Sequence, residues 1–254
     1  MLPVVSSIDL FIVPRRLAVA GFSVEEATTL FGYLTGMATA LVNMPTIVTA
    51  SLAASLVPVI SEAVAQNKSE TILKRTHTAM RLANLITIPS FVGMCVIATP
   101  ISAMLYAIPD AGPCIAVMSF GVFLLGVQQV TTGVLQGMGK TAVPFINMDF
   151  GVAALLNLFF LYKYRRYMMD IMHTVKLFIA AGVMGAVAYG VYTGLYGIIH
   201  SNTLSTLAAI CASGIVYCMA AIMLRAVKGE DVASIPKIGG KMAALIDRCS
   251  IVKK

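Results

Sequence analysis

Charge is what this chain has least of. Asp, Glu, Lys and Arg make up 11% of its 254 residues, whereas a soluble domain carries about 25%. So few charges cannot coat a globule of this size, which excludes a water-soluble enzyme and a nucleic-acid reader. Tryptophan is absent, and the three histidines, His77, His173 and His200, are not spaced as metal ligands. The five cysteines form no C-x-x-C pair, so neither a zinc site nor a disulfide framework is implied and no cofactor is expected. A secretory signal is not evident either. The opening apolar run contains Asp9 and closes on Pro14-Arg15-Arg16 instead of a small-residue cleavage site. Acids are scarcer than bases, 11 against 18, for a net charge of +7. In a chain this apolar the surplus belongs against anionic lipid in cytoplasmic loops and gives no reason to invoke DNA.

What is present is hydrocarbon: 59% hydrophobic residues and a mean hydropathy of +0.89. Each bilayer crossing needs about 20 apolar residues. The run from Leu2 to Val13 is too short to cross and reads as the end of a span whose beginning is missing. Longer runs cover Gly32 to Ile60, Leu85 to Tyr106 (interrupted by Pro89 and Pro100), Cys114 to Leu135, Val143 to Tyr162, Val175 to Ile199 and Leu204 to Leu224. Backbone in lipid must satisfy its own hydrogen bonds, so these runs are helices, and the fold class is an all-α polytopic transmembrane bundle. Pro45 supplies a kink in the first long run, with Asn43, Thr46 and Thr49 around it. Between Ser61 and Asn84, Ile72, Thr76, Ala79, Met80 and Ala83 recur opposite Lys74, Arg75 and Arg81. That pattern predicts an amphipathic helix on the membrane surface. In the tail, Met242, Leu245, Ile246 and Cys249 share a face among bases, which fits either a second such helix or a solvated tail.

Charge bias places the 61–84 loop, the 163–176 loop and the tail after Leu224 in the cytoplasm, and the Ala107–Pro113 and His200–Thr203 turns outside. Counting spans from the 61–84 loop then delivers the 163–176 loop to the wrong side. The parity fails by one span. Asp149, near the centre of the offending run, costs about 2.5–3.5 kcal/mol if it sits mid-helix in lipid. It is either a functional acid lining a cavity or a mark that 141–162 joins the front of one helix to the back of another across a deletion near 149–151.

Candidate chemistry is sparse. Gln136-Gly137-Met138-Gly139-Lys140-Thr141 imitates a phosphate loop, but Val134 stands where the first glycine must be, and no strand precedes it. Gln129, Thr132 and Gln136 share a helix face with Gln128 alongside; they either join helices or line an aqueous cavity. Small residues Gly182, Ala186, Gly190 and Gly194 form a ridge, Tyr189, Tyr192 and Tyr196 line another face, and Gly32/Gly36 and Gly133/Gly137 make two further close-packing pairs. Tyr162, Tyr164 and Tyr167 beside Arg165 and Arg166 mark an interface belt. Arg15 and Arg16 are either snorkelling anchors or a cationic patch for phosphate or pyrophosphate. Asp9, on a similar helix face, is a partner for Arg16 or an ion-coupling acid, and Asp149 is the other ion-coupling candidate.

Several segments carry a resemblance. Ile8-Asp9-Leu10-Phe11-Ile12-Val13-Pro14-Arg15-Arg16-Leu17, Leu30-Phe31-Gly32-Tyr33-Leu34-Thr35-Gly36, Met44-Pro45, Ser55-Leu56-Val57-Pro58-Val59-Ile60-Ser61 and Leu135-Gln136-Gly137-Met138-Gly139-Lys140 resemble the stage V sporulation protein B group of polysaccharide transporters. That group belongs with the lipid II flippases and the multidrug exporters. The resemblance implies two six-helix lobes around a cavity, with two extra C-terminal helices. This chain then corresponds to a truncated second lobe (1–162), the terminal helix pair (163–224) and a basic cytoplasmic tail (225–254). It implies export of lipid-linked envelope or spore-cortex precursors across a bacterial cell membrane by alternating access, with no enzymatic step. Arg15, Arg16, Gln129, Thr132 and Gln136 become the substrate-contact candidates. The implied partners are membrane lipids and a lipid-linked oligosaccharide, with either a missing N-terminal lobe or a second copy completing the carrier. An organic-cation antiporter, for which Asp9 and Asp149 are the deciding acids, and a non-transporting structural partner remain the alternatives.

Overall fold

The computed structural model describes residues 12–141, 150–224 and 226. Among the described residues every regular element is helical. Helix α1 covers 12–19, and α2, Val24–Gly32, starts on a reciprocal cap. The Ser23 hydroxyl accepts from the Glu26 N–H at 3.2 Å while the Glu26 carboxylate accepts from the Ser23 N–H at 2.8 Å, satisfying two donors that a helix start leaves free. A π-helical segment, Tyr33–Ala38, leads into α3, Thr39–Ala65. Its wide turns misalign backbone carbonyls. Tyr106 donates to the Met37 carbonyl at 3.2 Å, and Thr39 donates five residues back to Leu34 at 2.9 Å. The remaining helices are α4, Ser69–Val96; α5, Ala98–Tyr106; α6, Gly112–Gly137; α7, Phe150–Arg165; α8, Ile171–Ile199; and α9, Asn202–Met223.

Among the described residues, five helical stretches are long and apolar enough to cross a membrane: Val24–Ala65, Ser69–Val96, Pro109–Gly137, Ile171–Ile199 and Asn202–Met223. At 28 residues, α4 reaches about 42 Å, more than the ~30 Å of hydrocarbon. On the other spans Val117, Ile179, Ile215 and Met223 are all exposed. Such a coat is unfavourable in water and is the matching surface for lipid. The chain is a multi-pass membrane protein.

Inside, α3, α4, α6 and α7 share a core built on Leu56, Ile60, Ile72, Met80, Val134 and Leu161. A second core joins α4 to α8 and α9 through Ile88, Leu177, Ala181 and Tyr217. Glycine sets the α3–α6 spacing. A Cβ on Gly133 would lie 2.6 Å from the Ala53 carbonyl oxygen, and one on Gly137 would lie 2.7 Å from Ile60 Cβ.

Two expectations change. The 61–84 segment is not a separate surface helix: residues 61–65 end α3, α4 begins at Ser69, and Ile72, Thr76, Ala79, Met80 and Ala83 are all buried against other helices. Their spacing marks a covered face without saying whether lipid or protein covers it. The run from Leu85 to Tyr106 divides at Ile97, not at a proline. Pro89 lies within α4, and Pro100 sits in the first turn of α5, where its missing N–H leaves no bond unmade. Likewise, α3 continues through both Pro45 and Pro58.

The ends of the bundle differ in charge. Arg165 donates to the Ser69 hydroxyl at 2.7 Å, and the Lys140 ammonium lies 5.2 Å from the Tyr164 ring centre. The start of α4, the end of α6 and the end of α7 therefore meet at one end, with Lys68, Lys74, Arg75, Lys163 and Arg166 nearby. At the other end Glu25 and Glu26 share a cleft with Asp110. Helix α6 thus finishes where α7 also finishes, so α7 does not carry the chain back across from that point. This is the parity break counted from loop charges. The junction itself, 142–149, lies outside the described residues, as do Asp9, Asp149 and the tail residues Met242–Cys249.

Candidate functional site

Polar side chains inside the spans are the natural place to look for function, since lipid gives them no partner. Thr49 on α3 donates to Gln129 Oε1 on α6, and also to the Thr46 carbonyl at 2.9 Å. One turn further along α6, Thr132 accepts from Asn157 of α7 at 3.2 Å, and Asn157 is fully buried. Gln129 and Thr132 therefore act as interhelical bonds joining α3, α6 and α7. Gln136, a further turn on, is exposed near the basic end.

Arg15 and Arg16 lie elsewhere. They line a cleft of ≈ 370 Å³ with Ile12 and Val19, all from α1. Walls from one helix describe the side of that helix, not an enclosed site. The chain passes from α1 through 20–23 into α2 at the acidic end, whereas Gln136 is near the basic end. Among the described residues no hydrogen bond or ion pair joins the arginines to Gln129, Thr132 or Gln136.

The densest polar cluster is one that sequence reading left unassembled. It sits where the 166–170 linker meets α4. Arg81 pairs with Asp170 at 2.9 Å. Asp170 also caps α8, accepting from the His173 N–H at 3.2 Å. Asn84 donates to Thr174 at 3.3 Å, and the His77 ring contacts Tyr167 at 4.7 Å. His173 Nε2 meets the Ala226 carbonyl at 2.7 Å, tying in the chain beyond α9. Partial burial raises the Asp170 carboxyl, but the His173 N–H and the Arg81 guanidinium outweigh it and hold the group below its ordinary value. Burial, with Asp170 adding, pushes the Tyr167 hydroxyl well up. Tyr167 is 2% exposed, so it does not belong to the interface belt with Tyr162 and Tyr164, which are exposed. The available signal was Asp170 itself, the single acid in a basic loop.

Comparison with known proteins adds identity to this geometry. The MatE family matches residues 34–163, just over half of the chain and the stretch that builds α3 to α7. The chain belongs to the MatE family. Stage V sporulation protein B of Bacillus subtilis (strain 168) is 31% identical to it over 196 residues, 76% of this chain and 35% of that protein. The uncharacterized membrane protein YabM of the same organism is 28% identical over 134 residues, 52% of this chain and 25% of that protein. The chain thus spans about a third or less of the length of these relatives. No solved structure matches. The MatE region contains Gln129, Thr132 and Asn157, and it ends at the basic end of α7; α8 and α9 follow it.

Proposed function

We propose that the chain is part of an alternating-access membrane carrier of the oligosaccharidyl-lipid flippase type, exporting lipid-linked envelope or spore-cortex precursors. Membership in the MatE family, together with five membrane-length helices, carries this reading. The similarity to a protein named for sporulation supports the link to spore formation. The carrier holds no enzymatic step. In this proposal residues 1–162 form part of a second lobe, 163–224 a terminal helix pair and 225–254 a basic tail. The basic end and the tail face the bacterial cytoplasm. Two lobes rock about a shared cavity, so a complementary lobe or a second copy completes the path.

Arg15 and Arg16, at the acidic end, receive the anionic headgroup through forked, charge-assisted bonds. Gln136 offers a polar contact from the other end, and Gln129 and Thr132 hold the helices that frame the path. Export is tested in proteoliposomes loaded with a headgroup-labelled lipid-linked oligosaccharide. The expected result is faster arrival of label in the outer leaflet than in empty vesicles, reduced by Arg15→Ala with Arg16→Ala. Equal rates with and without protein would reject a carrier completed by a second copy and leave only one completed by a complementary lobe; full rate in the double variant would remove only the arginines.

A further inference from the structure

The surface of the corner between α7 and α8 is distinct from the polar interior. Arg166, at φ 52°, turns the chain sharply after α7. Tyr167 is then buried, while Met168 is 65%, Ile171 66% and Met172 69% exposed. Large apolar groups so exposed at a span's entrance are suited to acyl chains. Lys163 and Arg166 are exposed, three residues apart at the end of α7, with Tyr162 and Tyr164 alongside. Asp170, the acid of this corner, is engaged by Arg81 and the start of α8. That is the ion pair formed among the described residues, and no described carboxylate pairs with Lys163 or Arg166. Cations without acids, beside apolar side chains and tyrosines, match the boundary between hydrocarbon and phosphate.

The geometry points to this corner as a binding site for an anionic phospholipid headgroup. Lys163 and Arg166 pair with the phosphate, and Met168, Ile171 and Met172 enter the acyl layer beneath it. A zwitterionic headgroup fits poorly, because Asp170, the acid of this corner, is already engaged by Arg81 and the His173 N–H. The site stands whether or not the chain transports a lipid-linked sugar.

The test is thermal melting of the purified chain in neutral detergent, titrated with phosphatidylglycerol, phosphatidylcholine or inorganic phosphate. Phosphatidylglycerol should raise the melting temperature, and the other two should not. Lys163→Gln and Arg166→Gln should each weaken the apparent affinity about five-fold, the equivalent of ~1 kcal/mol per base. Lys163→Arg, which keeps the charge, should bind like the parent. Raising salt should weaken the response of the unaltered protein, a reading that needs no variant to fold. Equal stabilisation by phosphatidylcholine or by inorganic phosphate would overturn the site, as would an undiminished phosphatidylglycerol response in the Lys163→Gln/Arg166→Gln double variant.

Discussion

Gly133 and Gly137 lie against α3 so closely that any side chain displaces backbone, because a Cβ would meet the Ala53 carbonyl oxygen or Ile60 Cβ at 2.6 and 2.7 Å. Gly133→Ala should cost about 1–3 kcal/mol, read as a lower melting temperature in detergent. Gly190→Leu should leave the monomer's melting temperature unchanged, since nothing lies within 4 Å of the position. Glycine spacing was legible in the sequence at all these sites, but only at 133 and 137 does a neighbour fill the groove. Spacing tells that a backbone can be approached; it does not tell what approaches. Asp170 makes a second prediction. With its folded value below the ordinary 3.8, the carboxylate stabilises the fold above that pH, and the contribution disappears as pH falls through the lowered value. Acid melting curves of the parent should therefore drop below about pH 4 relative to Asp170→Asn, which should be flatter there. Parallel curves would show that the Arg81–Asp170 pair contributes nothing.

At the scale of helices, α3, α6 and α7 are joined by amide and hydroxyl bonds within an apolar bundle. The Thr49–Gln129 bond is not worth the full price of an amide in hydrocarbon, because the unfolded chain in lipid also finds partners. A double-mutant cycle with Thr49→Val and Gln129→Leu should give a coupling of about 0.6 kcal/mol and no more than ~1.7. A coupling of zero would mean that Gln129 serves the cavity instead. Helix boundaries were largely legible, since apolar length fixes them: α6, α8 and α9 fall close to the runs that foretold them. The start of α4 was not legible as a buried element. Lys74 and Arg75 on its outer side give the same stripe as a surface helix, and only the positions of α3, α6 and α7 decide which partner it has. The Arg81–Asp170 cluster was hidden for a related reason: its members are 89 residues apart and meet through tertiary structure alone.

For the whole molecule, charge and geometry agree on two unlike ends. The parity break in the loop charges has its counterpart in α7, whose last turn lies beside Lys140, shortly after the end of α6. At 16 residues α7 is about 24 Å long, shorter than the hydrocarbon layer, and it is absent from the five membrane-length stretches. The candidate substrate residues were the least legible part, because polar groups in spans serve packing and passage with the same chemistry. The most direct measurement is side-specific labelling with a membrane-impermeant thiol reagent in a cysteine-free background. Single cysteines replace Lys68, Lys140 and Arg166 at one end, and Glu25 and Asp110 at the other. The bundle described here requires the first three to react from one side of the membrane and the last two from the opposite side. Labelling of positions 140 and 166 from opposite sides would contradict it.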